Sequence, residues 1–80
     1  MPIVERVREI IEKTLGARRN FASVTDDTNL YDAGLSSHDA VNLMVALEES
    51  FEIEIPDHLI SRSSFESISA IARTLKETGV

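Results

Sequence analysis

The chain has no cysteine and no tryptophan, three glycines and two prolines in 80 residues. Without cysteine, a disulfide scaffold is excluded, and so is any thiol chemistry supplied by the polypeptide itself. Aromatic residues make up 5% of the chain, too few for a platform that stacks nucleic-acid bases. No apolar run approaches the ~20 residues of a membrane span. The start, Met1-Pro2-Ile3-Val4-Glu5-Arg6, is charged and amphipathic rather than signal-like. Positive charge is scarce as well. Eight Lys and Arg face fourteen Asp and Glu, a net charge of −6, which disfavours phosphate backbones and anionic membranes. At this length the chain has material for one core, so residues 1–80 read as one domain with an intracellular, cytoplasmic location. Partners such as nucleic acid and membrane are not expected, and the domain is expected to be a monomer.

The charges are unevenly placed. No Lys or Arg lies between Ala22 and Ser61, whereas Asp26, Asp27, Asp32, Asp39, Glu48, Glu49, Glu52, Glu54 and Asp57 all do. Such a field is either a solvated surface or a docking face for basic partners, and charge alone does not choose between them.

Hydrophobic spacing points to helices. Ile3, Val4, Val7, Ile10, Ile11 and Leu15 recur at three and four residues, with Pro2 at a tolerated first-turn place and Gly16 as a stop. Residues 16–35 lack a period and form a long loop, which Val24, Leu30, Tyr31 and Leu35 can pin to a core. At Ser36-Ser37-His38-Asp39 the pattern S-x-x-D precedes an apolar run, so Ser36 reads as the N-cap of a second helix. Ala40, Leu43, Leu47 and Phe51 line one face of it, and Val41, Met44 and Val45 broaden that face. Pro56 interrupts the chain, and Asp57–Ser61 reads as a short helical turn. A last helix, capped by Ser63 or Ser64, carries the stripe Phe65, Ile68, Ile71, Ala72 and Leu75. The alternation at Ile53 and Ile55 is too short for an independent sheet. The expected fold is all-α: a small four-helix bundle of three longer helices and one short one, with a long first loop.

Self-contained chemistry is not found. A metal site needs several ligands converging at set spacing, and His38 and His58 are the only histidines, with no cysteine to help. Asp27-Thr28-Asn29 opens like a calcium loop, but Tyr31, Asp32 and His38 stand where the loop needs other residues. Ser37 and His38 are adjacent, and helical neighbours point about 100° apart, so they do not form a nucleophile–base pair. Glu48 and Glu49 read as a solvated face. No catalytic residue is assigned, and the chain is not expected to be an enzyme.

A resemblance enters at Gly34-Leu35-Ser36-Ser37. Together with Ala46-Leu47-Glu48-Glu49-Ser50-Phe51, Ile53-Glu54-Ile55-Pro56-Asp57 and Ser64-Phe65, it resembles the acyl carrier protein family over nearly the whole chain. The resemblance implies the acyl-carrier bundle and a 4′-phosphopantetheine arm on the serine that opens the second helix, here Ser37. The arm comes from coenzyme A and is attached by a phosphopantetheinyl transferase, so the thiol need not come from the chain. A phosphodiester suits a helix N-terminus. Three positions depart from the family pattern: Ser36 where Asp is usual, His38 where Leu is usual, and Asn42 where an acid is common.

Leu43-Met44, Glu48-Glu49, Leu59, Arg62 and Glu66-Ser67-Ile68 narrow the resemblance to small aminoacyl carrier proteins served by stand-alone amino acid:[carrier protein] ligases. That implies a carrier presenting a small amino acid as a thioester to a downstream acceptor enzyme. A fatty-acyl or polyketide-type carrier is the alternative within the family, and an unmodified acidic interaction domain the alternative outside it. Val41, Val45 and Glu48 follow Ser37 at four, eight and eleven residues, on one side of the helix. The expected partner surface comprises Leu35, Ser36, His38, Asp39, Val41, Val45, Glu48 and Glu49, with the leucine and valines as apolar contacts and the acids as electrostatic ones. Val41 and Val45 have a second reading as core.

Overall fold

A computed structural model describes residues 3–15 and 24–80. Three α-helices are present: α1 (Ile3–Leu15), α2 (Ser37–Phe51) and α3 (Ile68–Thr78). Two 3₁₀ segments, Asp57–Leu59 and Arg62–Phe65, lie between α2 and α3. The short fourth helix expected at Asp57–Ser61 is a 3₁₀ turn, Asp57–Leu59, and the second 3₁₀ segment lies where the last helix was expected to begin. The described residues form no strand, and none of their helices is long and apolar enough to cross a membrane. Pro2 and Gly16, the expected bounds of the first helix, fall outside the described residues.

Each helix buries the stripe its spacing dictates. Val7, Ile10, Ile11 and Leu15 of α1 meet Leu43 and Leu47 of α2 and Ile68, Ile71 and Leu75 of α3 in one core. α1 packs against both of the other helices. Leu30, Leu35, Ile55 and Phe65 complete the core from the connections. Truncating one of these fully buried leucines to alanine would cost about 2–5 kcal/mol.

Residues 24–35 have no helical period yet are firmly tied. Arg8 donates to the Val24 carbonyl at 2.7 Å and pairs with Asp26 at 2.8 Å. The Leu30 amide donates to the Glu66 carbonyl at 2.7 Å, and the Ser69 amide donates to the Asp26 carbonyl at 3.0 Å. Asn29 Oδ1 accepts the Asp32 amide, the turn that the false calcium pattern encodes. Gly34 then takes φ +114°, a left-handed value that suits glycine, and turns the chain into α2.

At the far end of α2, Glu52 adopts φ 55° and closes the helix, with its N–H on the Glu48 carbonyl. Arg6 stacks on the Phe51 ring at 4.2 Å and donates to the Ser50 carbonyl at 3.0 Å, clasping α1 to this end.

The start of α3 differs from expectation. Its N-cap is Ser67, whose hydroxyl accepts the Ala70 amide at 3.0 Å. Ser64 is buried and donates to the Leu59 carbonyl, and Ser63 meets Ser61 at 3.0 Å. The apolar stripe runs unbroken through Phe65, so periodicity alone extended the helix over a 3₁₀ turn. This register predicts that Ser67→Ala lowers stability by about 1 kcal/mol in urea unfolding, while Ser63→Ala stays within about 0.5 kcal/mol.

Candidate functional site

The site forms where the tied loop delivers the chain to α2. Ser36 is the N-cap, in extended backbone. Its hydroxyl accepts the Asp39 amide at 3.0 Å, and the Asp39 carboxylate accepts the Ser36 amide at 3.1 Å. This reciprocal box satisfies two backbone donors at the helix start. Ser37 is then the first residue of α2. It is exposed, and no contact within the described residues occupies its hydroxyl.

An open groove of about 310 Å³ begins at Ser37. Ala40, Val41 and Met44 of α2 form one wall; Ile60, Ser61, Arg62 and Phe65 form the other, with Tyr31 at the edge. Arg62 lies over the Tyr31 ring at 3.8 Å, and the Tyr31 hydroxyl donates to the Arg62 carbonyl at 3.0 Å. Burial raises the Tyr31 phenol pKa above its ordinary value; Arg62 opposes that rise and Glu66 adds to it. Among the described residues no cluster of acids or histidines is arranged to hold a metal.

The expected partner-surface residues separate. Val41 and Val45 are 54% and 45% exposed, which answers the reading of them as core. His38 and Glu49 are exposed, and so is Ser36 despite its capping role. Leu35, by contrast, is 5% exposed. It sits in the core beneath the start of α2, so its part is to anchor the loop and not to touch a partner. Asp39 is 3% exposed; its carboxylate belongs to the cap, and the expected surface charge is corrected to a structural one. Glu48 is half-buried, and its Oε2 accepts the Ile55 amide at 2.9 Å. It fastens the segment after α2 through that oxygen while staying partly exposed.

Tyr31, Arg62, Ile60 and Met44 were not expected at the site. One signal was available. Arg62 is the first cation after a long stretch with none, which sets it apart in the sequence.

Residues 5–75 match the family model described as phosphopantetheine attachment site. An aminoacyl carrier protein from Agrobacterium fabrum (strain C58 / ATCC 33970) is 46% identical over 70 residues, covering 88% of this chain and 84% of the relative. Among solved structures, one pairs an engineered Bradyrhizobium japonicum glycine:[carrier protein] ligase with a carrier protein from Agrobacterium tumefaciens and ATP. The chain matches it with TM-score 0.84 and 42% identity, over 94% of this chain and 97% of that one. Another holds the B. japonicum ligase with glycylated carrier protein; there the TM-score is 0.66 and the identity 35%, over 90% and 92% of the two chains.

The division of labour between the adjacent serines is open to measurement. In urea unfolding, Ser36→Ala is expected to cost about 1 kcal/mol through loss of the cap. Ser37→Ala should stay within about 0.5 kcal/mol, because its hydroxyl holds nothing in the fold. Equal losses for the two would contradict the capping geometry.

Proposed function

Because the chain belongs to the phosphopantetheine-attachment family, whose members carry a covalent 4′-phosphopantetheine, we propose that Ser37 bears the arm and that the arm's cargo is a small amino acid. The observation that carries this reading is the separation of two hydroxyls one residue apart. Ser36 is used by the cap, whereas Ser37 stands exposed at the first position of α2. A phosphodiester there meets the favourable end of the helix dipole and has open space beside it. The arm supplies the thiol that this cysteine-free chain lacks, and with it the thioester to the cargo. As a carrier, the protein is acted upon and does not catalyse.

The amino-acid cargo is supported by the aminoacyl carrier relative and by the glycine:[carrier protein] ligase complexes of the structural neighbours. The alternative of a fatty-acyl carrier has a different physical demand. A long chain gains about 0.8 kcal/mol for each CH₂ it buries, whereas an aminoacyl group carries an ammonium that loses hydration in an apolar pocket. Against the reading as an unmodified interaction domain stands the match of residues 5–75 to the phosphopantetheine-attachment family.

Partners in this reading are a phosphopantetheinyl transferase, an amino acid:[carrier protein] ligase and a downstream acceptor. Val41 and Val45 give such partners an apolar ridge on α2, and Glu49 gives an exposed negative charge beside it. Serial partners require weak, reversible contact, for which a small interface steered by charge is suited. His38, next to Ser37, is exposed to whichever enzyme holds the arm.

The test is loading of the phosphopantetheinylated protein with labelled glycine or alanine by a purified ligase and ATP. Ser37→Ala should lose loading entirely with its fold intact. Glu49→Lys should slow loading severalfold at low salt and converge toward the parent as salt rises and screening shortens to ~3 Å at 1 M. Val41→Asp should raise the KM for the carrier. Unchanged loading for Ser37→Ala would sink the site assignment, and unchanged kinetics for both surface variants would sink the α2 docking face.

A further inference from the structure

The groove at Ser37 has one feature that neither cap nor apolar wall explains, namely a cation on its rim. Arg62 lines the same groove as Ser37, Val41 and Met44. No Lys or Arg occurs between Ala22 and Ser61, so Arg62 stands at the edge of the chain's acidic middle. Among the described residues its guanidinium enters no ion pair. It is nevertheless held in place: it lies 3.8 Å from the centre of the Tyr31 ring, and that ring is fixed by its own hydroxyl on the Arg62 carbonyl. Stacking uses a face of the guanidinium and leaves N–H donors along its edge, a fork that fits two oxygens of a phosphate. Because the stack already restricts the side chain, little further freedom is lost when an anion binds.

We propose that Arg62 is a docking cation for the phosphodiester on Ser37, laying the neighbouring part of the arm into the groove between α2 and the 3₁₀ segment. The proposal rests on Ser37 as the attachment site. Charge fits the occupant. The phosphodiester is the one anion that the modification adds beside this groove, and Arg62 attracts it. In a domain of net charge −6, without such a cation the added anion would meet mostly like charge.

The experiment uses the full chain, converted by coenzyme A and a broadly specific phosphopantetheinyl transferase, with intact mass establishing conversion. Amide and ³¹P NMR spectra are then compared for the apo and modified forms of the parent, Arg62→Gln and Arg62→Lys. In the parent, modification should shift amides of Ile60, Ser61 and Arg62 as well as those of Ser37 to Ala40. In Arg62→Gln the shifts at 60–62 should at least roughly halve and the ³¹P resonance should move, because the charge-assisted bonds are gone. Arg62→Lys, with charge but no planar fork, should fall between the two. Loading with glycine should leave the groove resonances where modification put them. Shifts confined to Ser37–Ala40, or the same shifts at 60–62 in Arg62→Gln, would overturn the proposal while leaving the attachment site standing. Absence of any mass increment on a chain with Ser37 intact would overturn the attachment reading and this proposal with it.

Discussion

The reciprocal hydrogen bonds between Ser36 and Asp39 decide where α2 begins, and the site depends on that position. With the cap at Ser36, the helix has its first residue at Ser37, and the next serine hydroxyl along the chain is left out of the fold. A shift of one residue would exchange the two roles. Burial of Asp39 strengthens the arrangement. A carboxylate removed from water must find hydrogen-bond partners, and here it finds one in the amide of its own N-cap. The same carboxylate adds favourable charge to the first turn. Having Ser36 where the family usually has Asp therefore does not cost the helix its cap.

The second requirement is that the loop arrive in register. Residues 24–35 reach α2 tied from three sides: Arg8 of α1 holds Val24 and Asp26, the region just before α3 holds Leu30, and the 3₁₀ segment holds Tyr31. Leu30 and Leu35 are driven into the core between these bonds. The 3₁₀ segment that anchors Tyr31 also supplies Arg62 to the groove, so one pairing both fixes the loop and charges the site. The outer face of α2 is left with Val41 and Val45 exposed, apolar residues that the core does not require and that a partner can cover.

Much of this was legible in the chain. The stripes of α1 and α2 and the Ser36 cap follow from local rules whose partners lie three or four residues apart. The start of α3 was not, because Phe65 continues the apolar period while the backbone there is 3₁₀, and period alone does not distinguish the two. The partner surface was half legible for a related reason. Position on α2 or in the loop before it put Leu35, Asp39 and Glu48 on the expected partner surface, but the burial of Leu35 and Asp39 and the bond from Glu48 to the Ile55 amide depend on how the loop and the segment after α2 pack, which position along the chain does not give. Arg62 and Tyr31 meet across 31 residues, and no local pattern links them.

The carrier account depends on which serine is modified. Treating the chain with coenzyme A and a phosphopantetheinyl transferase, then fragmenting the peptide that spans Gly34 to Met44 in a mass spectrometer, locates the added group to a single residue. The account predicts the whole increment on Ser37 and none on Ser36. An increment on Ser36, or on any serine outside this peptide, would contradict it.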